Sequence, residues 1–261
     1  MKKKKTHNIS RFGFRSGKGS AHTSRTIMLE DLRLLLSYVS SPNASKIDYI
    51  KAIEEDNCLA KRSGKNRKLT RRHLAYLYSL DPSVTVFRSL LYFWKRDVDG
   101  QPLLAVLCAY GRDTILRTSA PFILNFAEGT IVSREALQEY FDHKDDNRLS
   151  MATLRSTAQN LNSTWTKSGH LIGKMKKIRS RAKATPGSVS YALFLGYLAG
   201  IRGEAMFMTE YARLLDCSVE HAIELAEDAS RRRWISFKRI GQVMEIQFPN
   251  LLTAQEGGAD S

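Results

Sequence analysis

The chain has 261 residues, 43% of them hydrophobic and 26% charged, which suits a folded domain and excludes a wholly disordered chain. Lys and Arg number 41 against 26 Asp and Glu, a net charge of +15. Such an excess points to a polyanionic partner, either nucleic acid or an acidic membrane surface. Three cysteines (Cys58, Cys108 and Cys217) stand far apart with no CxxC or Cys/His spacing, so buried free thiols are expected rather than a disulfide framework or a zinc site.

The first residues are MKKKKTHNIS. The lysines resemble the charged start of a signal peptide, but no apolar stretch follows them, and a cytoplasmic location is expected. The longest apolar stretches, 102–110 and 191–201, fall well short of the ~20 residues a membrane-spanning helix needs. They read as core helices, and no membrane partner is expected. Residues 1–25 carry eight Lys or Arg and no acid, with Gly13, Gly17 and Gly19 interspersed. Residues 1–23 therefore read as a flexible basic arm. GFRSGKGS at 13–20 is one residue short of a phosphate-binding loop and follows no apolar strand, so that function is set aside.

A helical domain is predicted over 24–183. Ser24 is placed to cap a helix carrying Ile27, Leu32, Leu34, Leu35 and Val39, which Pro42-Asn43 breaks. A second helix is expected over 45–56 and a third over 67–80, ended by Asp81-Pro82. The apolar segment 84–94 reads as helix. Gly100-Gln101-Pro102 opens the core helix 102–110. Two short helices, 113–118 and 121–127, follow, with Ser119 capping the second and Pro121 in its first turn. Ser133 opens a helix to about residue 141, and DHKDDNR then forms a polar loop. Ser150 caps a helix over 151–167, closed by Ser168-Gly169. Residues 174–183 hold six Lys or Arg and read as a basic linker or helix tail. From 184 to 252 a second unit is expected, with helices at 188–200, 204–215 and 218–231 and strands at 234–238 and 242–248. That is the layout of a winged helix-turn-helix. Residues 253–261 read as a disordered tail.

The strongest binding candidate is the segment 61–80. Seven of its first twelve residues are basic, and no Asp or Glu occurs from 58 to 80. At 100° per residue, Leu69, His73, Tyr76, Leu77 and Leu80 share one face and Arg67, Lys68, Arg71 and Arg72 lie opposite. With the preceding helix, this makes a helix-turn-helix-like pair whose second helix is shaped for a major groove. Helix 151–167 is the second candidate. Met151, Leu154, Ala158, Leu161 and Trp165 form its buried stripe, while Arg155, Ser156, Gln159, Asn160, Ser163 and Lys167 face outward to read bases or phosphates. The basic cluster after it adds Lys174, Lys176 and Lys177. In the C-terminal unit, Arg231, Arg232, Arg233, Lys238 and Arg239 sit at a helix end and hairpin tip. The helix before them, SVEHAIELAEDAS, exposes Glu220, Glu224, Glu227 and Asp228, which repel a phosphate duplex. The residues expected on DNA are thus Lys65, Arg67, Lys68, Arg71, Arg72, Arg155, Gln159, Lys167, Lys174, Lys176, Lys177, Arg231, Arg232, Arg233, Lys238 and Arg239. Asp142, His143, Asp145 and Asp146 form the one acidic cluster that suggests metal-assisted phosphodiester chemistry. They lie in a polar run without a second cluster, so no catalytic residue, metal or cofactor is expected.

In the order of these elements the chain resembles the BrxA family of the bacteriophage exclusion (BREX) defence systems. The segments that carry the likeness are RTIMLEDLRLLLSYV, YIKAIEEDNCLAKRSGKNRKLTRRHLAYLYSLDP, PLLAVLCAYGRDTILRTSAPFILNFAEGTIVSREALQEYFD, LSMATLRSTAQNLNSTWTKSGHL and RRRWISFKRIGQVMEIQFPNLL, spanning most of 24–252. The resemblance implies an all-α fold with two helix-turn-helix motifs beside basic surfaces and double-stranded DNA as ligand. It also implies no catalysis, and partners among other defence components, including a methyltransferase. The helix 67–80 carries over most directly and 151–167 next. The polybasic arm and the acid-rich helix 218–230 depart from the family pattern. A monomer is expected. Three other functions stay open on the residues alone: an assembly module that binds partner proteins through the winged unit, a metal-dependent nuclease using Asp142, His143, Asp145 and Asp146, and RNA in place of DNA.

Overall fold

The computed structural model describes residues 9–17, 19–144, 150–241, 243–253 and 256. The fold is mainly α-helical, as the sequence predicts, with two small antiparallel hairpins where one is expected. In chain order, a 3-10 turn at Ile9–Phe12 precedes α1 (Leu29–Tyr38), α2 (Lys46–Glu54), α3 (Gly64–Tyr78), α4 (Thr85–Trp94), α5 (Gln101–Tyr110), α6 (Thr114–Leu124), α7 (Arg134–Lys144) and α8 (Met151–Lys167). A hairpin of β1 (Leu171–Ile172) and β2 (Ile178–Arg179) follows. Then come α9 (Pro186–Leu198), a 3-10 segment at Gly203–Met208, α10 (Glu210–Arg213), α11 (Val219–Arg231), and the hairpin of β3 (Ser236–Ile240) and β4 (Val243–Gln247). Among the described residues, no helix is long and apolar enough to cross a membrane.

Local chemistry sets these boundaries. Ser45 and Asp48 close a capping box on α2, the Ser63 hydroxyl accepts from Asn66 N at α3, and the Ser150 hydroxyl accepts from Thr153 N at α8, each satisfying an N–H that the helix itself leaves open. Ser24 caps nothing, because α1 begins only after Met28, a residue in the left-handed region at φ 51°. The two helices expected over 113–127 are one. Asp113 caps it, Pro121 falls in its last turn, and the Ser119 hydroxyl donates to Leu116 O and accepts from Trp165 Nε1 at 3.0 Å.

α9 is the centre of the molecule. Nearly every side chain from Gly187 to Leu198 is buried, as a helix apolar all round must be, and it packs on α4, α5, α10 and α11. Asp97, in the α4–α5 connection, accepts from Gly187 N at 2.7 Å and Gly100 N at 3.1 Å. A Cβ at Gly187 would lie 2.5 Å from that carboxylate, so glycine is required for the approach. One continuous apolar core therefore runs across the boundary expected at 183/184. The three-helix-and-hairpin layout is present, and its first helix packs on α4 and α5 as well as on α10 and α11. The helix expected over 204–215 is split into the 3-10 segment and the short α10.

The expected flexible arm is, over its described residues, packed. Phe12 and Phe14 are buried, and the Phe14 ring lies 5.9 Å from that of Tyr211. Burial of two such rings stabilises by about 3–6 kcal/mol relative to exposure, more than enough to fix a short segment. Arg112, buried, donates to Tyr76 O, Ala75 O and Gly13 O. It thereby binds the negative end of α3 to the N-terminal segment. Asp113 receives Ser20 Oγ at 2.7 Å, Ala21 N at 2.8 Å and Leu116 N at 3.0 Å, with His22 Nδ1 in ion-pair contact at 3.1 Å. Burial alone would raise its pKa, but His22 and these donors outweigh burial and hold the carboxyl at about 2. At the other end of the chain, within the expected tail, the Glu256 carboxylate meets Arg88 at 2.5 Å.

Candidate nucleic-acid interface

α3 exposes a narrower basic face than its sequence suggests. Its buried stripe is Thr70, Leu74, Leu77 and Tyr78, rotated by roughly 100° from the face expected from Leu69, His73 and Tyr76. The rotation has a cause in side-chain polarity: Thr70 and the Tyr78 ring go inside, the latter because its hydroxyl donates to Ile27 O. Lys65, Lys68 and Arg72 stand opposite the stripe and are exposed. Arg67 and Arg71 flank the stripe, half-buried, and Arg71 Nε meets Glu54 Oε1 at 2.7 Å. These two are thus removed from the predicted open face. Lys61 is likewise paired, with Asp31 at 2.7 Å. His73 is half-buried, and burial, then Arg25 and Arg72, push its pKa down, so Arg25 of the N-terminal segment lies near the α3 cations.

The polar side of α8 is partly occupied. Ser156 donates to Thr23 O, Asn160 to His22 O and Lys167 to Thr26 Oγ1, while the Thr164 hydroxyl accepts from Ile27 N. Residues expected to read bases instead hold residues 20–27 in place. Arg155 and Gln159 remain exposed. Met151, expected in the buried stripe, is 68% exposed because it sits in the first turn, beyond the reach of the core.

The basic run 174–183 is not a linker or helix tail. It forms the turn and second strand of the β1–β2 hairpin and the stretch after it. Arg179 is buried and bidentate to Asp216, at 2.7 and 2.6 Å. Arg181 pairs with Glu128 at 3.1 Å and Lys183 with Asp99 at 3.0 Å. Lys174 and Lys176 are exposed in the turn. Lys177, whose pKa is lowered by burial, donates to Gly173 O at 2.7 Å.

Two grooves bring these parts together. One, of about 600 Å³, is lined by Arg134 and Glu135 at the start of α7, paired at 2.6 Å, by Gln159, Asn162 and Ser163 of α8, and by Lys174, Met175, Lys176 and Lys177 of the hairpin. The other, of about 450 Å³, is lined by Arg25, Lys61, Asn66 and Thr70, by Glu30 and Asp31 of α1, and by Asn160 and Lys167 of α8. At 100° per residue, positions 155, 159, 162 and 163 and positions 160 and 167 occupy adjoining faces of α8. The grooves therefore border one helix on neighbouring sides. Lys65, Lys68 and Arg72 belong to the helix at the far wall of the second groove. Among the described residues, no carboxylate forms an ion pair with Lys65, Lys68, Arg72, Arg155, Lys174 or Lys176. Arg25 and Arg134 were missed in the sequence: Arg25 is hidden within the apparent arm, and Arg134 is brought in by the bridge between Ile131 and Ile178.

The C-terminal cations line neither groove. Arg231 and Arg232 share Asp228, at 3.6 and 2.9 Å. Arg233, Lys238 and Arg239 are exposed, as are Glu220, Glu224 and Glu227 on α11. Asp142 and His143 are exposed at the end of α7, with His143 3.9 Å from Glu139. Asp145 and Asp146 lie outside the described residues. Cys108 is buried, whereas Cys58 and Cys217 are only partly so, and all three are free thiols.

No protein-family model matches the chain, and no curated protein matches it.

Proposed function

We propose that the protein binds double-stranded DNA without catalysing a reaction, through the track formed by α3, α8 and the β1–β2 turn. The observation that carries this reading is the pair of adjoining grooves along α8, where Glu135 and Asp31 are taken up by Arg134 and Lys61 and the exposed Lys174 and Lys176, with Lys65, Lys68 and Arg72 on α3, form no ion pair with a described carboxylate. Phosphate binding needs several cations at once, because affinity grows with each counterion released. Gln159 offers the amide chemistry that meets base edges. On the resemblance of 24–252 to BrxA, the protein acts in the cytoplasm as a component of a BREX phage-defence complex, as a monomer beside a methyltransferase.

A second reading has its own observation. α11 presents Glu220, Glu224 and Glu227, and the β3–β4 tip exposes Ile240 and Val243. An acidic and apolar surface of this kind suits a protein partner better than DNA, so the C-terminal part is read as the assembly surface. Gel shifts over a salt series, on duplex DNA, single-stranded DNA and double-stranded RNA of matched length, test the first reading. Preference for RNA, or binding insensitive to salt, rejects it. Incubation with plasmid and Mg²⁺ or Mn²⁺ tests the remaining nuclease alternative, which nicking would support.

A further inference from the structure

Met175 is 92% exposed, the most open of the large apolar side chains among the described residues. A methionine on a loose loop would call for no explanation, but this one stands on a rigid support. The stem below it pairs Leu171 with Arg179 and Ile172 with Ile178. Val132 N donates to Lys177 O and Arg179 N to Thr130 O, both at 2.8 Å, so a third segment braces β2 from the other side. Arg179 ties the same strand to Asp216 through two hydrogen bonds. The turn itself is fixed by Gly173, at φ 94°, where a Cβ would lie 2.1 Å from Lys176 O. The chain thus holds an apolar tip away from its own core, with Lys174 on one side and Lys176 on the other.

We infer that the β1–β2 turn is a wedge that enters the minor groove of duplex DNA and inserts Met175 between base pairs, with Lys174 and Lys176 on the flanking phosphates; this rests on the DNA-binding reading above. The chemistry favours that occupant over a neutral protein surface or a free anion. Cations on both sides of one unbranched apolar side chain match a groove about 6 Å wide with phosphates along both walls. A two-stranded ribbon is wider than the undeformed minor groove, so the turn enters only as its apolar wedge opens and bends the duplex, as minor-groove ribbon proteins do. Methionine is among the side chains that unstack a base step and bend the duplex. Pyrimidine–purine steps such as TA yield most easily.

The test uses the full chain and a duplex of alternating TA steps carrying 2-aminopurine, with a donor and an acceptor dye at the two ends. Wild type is expected to raise 2-aminopurine emission and to shorten the end-to-end distance, and Met175→Leu to do both. Met175→Ser, at a fully exposed position, is expected to fold normally, and it is compared with wild type at protein concentrations that saturate the duplex for each. It should lose the emission rise and the bend. Wild type that binds the duplex without unstacking or bending it overturns the inference and leaves the DNA-binding reading standing. So does a Met175→Ser protein that behaves as wild type. Wild type that binds no duplex overturns both. Binding to vesicles of phosphatidylserine and phosphatidylcholine that depends on Met175, with no unstacking of DNA, also overturns the wedge, because the tip then serves a lipid surface.

Discussion

The prediction that bears most directly on the proposed interface concerns the exposed edge of α3. Lys65, Lys68 and Arg72 are half of the six exposed track cations that form no ion pair with a described carboxylate. If all six meet phosphates, log K should fall against log salt with a slope of about −5. Between about 50 and 200 mM salt, affinity then drops roughly a thousandfold. Changing all three α3 residues to Ala removes three phosphate contacts, which brings the slope near −3 and the drop over the same range to roughly fortyfold. The matching control is Arg181→Ala with Lys183→Ala. Both residues are basic and exposed, but each faces a carboxylate, Glu128 or Asp99, so the slope should move by less than about one. Fluorescence anisotropy on a labelled duplex at four or five salt concentrations measures both slopes. A triple variant with the wild-type slope, or a control variant that flattens the slope as much, would refute the assignment of this edge to phosphate contact.

Three further outcomes follow from the packing. Arg179→Ala leaves Asp216 without its bidentate partner in a largely dry site and should cost about 3–5 kcal/mol, read as a lower urea midpoint; a change under about 1 kcal/mol would contradict the burial of this pair. Phe14→Ala should cost about 3–5 kcal/mol, and deletion of residues 1–23 should lower Tm, whereas loss of a free arm would leave Tm unchanged. His170 is buried, its neutral ring donates from Nε2 to Leu214 O at 3.0 Å and accepts at Nδ1 from the Ser168 hydroxyl at 2.8 Å, and burial pushes its pKa down to about 4. The unfolded chain takes up this proton near pH 6.5. Its contribution is therefore fully present above that pH and is lost as pH falls toward 4, by roughly 3 kcal/mol. The Asp113 carboxyl, held at about 2, contributes stability that is lost only at lower pH, from about 4 downward. NMR titration of the His170 ring should show no protonation at pH 6, and a ring that titrates near 6.5 would remove the basis of this window.

Caps were legible in the sequence, and pairings over long distances were not. α8 runs over the residues predicted, because Ser150 and Ser168-Gly169 mark its ends. α3 was found in place but turned, since polarity alone does not reveal that Thr70 and Tyr78 face inward. Lysines and arginines dominate the composition of 1–23 and suggest a free arm, while over its described residues the buried Phe12 and Phe14 fix the segment. The all-round apolarity of α9 was visible and was the signal of a central helix, but Thr185-Pro186-Gly187 before it suggested a domain boundary. Short-range patterns had no means of assigning Arg179, Arg181 and Lys183 to acids 37, 53 and 84 residues away. The β1–β2 hairpin, with two residues per strand, lay below the length at which alternation can be read.

The basic run 174–183 shows how the charge excess is divided. A cation held in a buried bidentate pair is fixed and cannot also release counterions on meeting a phosphate; an exposed, unpaired one can. Arg179 is of the first kind, and Lys174 and Lys176 are of the second. Within one short hairpin, the structural arginine fastens the strand to Asp216, and the strand in turn carries the turn in which the free lysines stand. The two roles depend on each other. Without the anchor, the lysines would sample many positions and pay ordering entropy on binding. Without the free lysines, the anchored turn would present only apolar surface. The same division recurs on α3, where Arg71 is committed to Glu54 and Lys68 and Arg72 remain open. Net charge therefore overstates the binding surface, and the cations left without acids, held by neighbours that have them, define it.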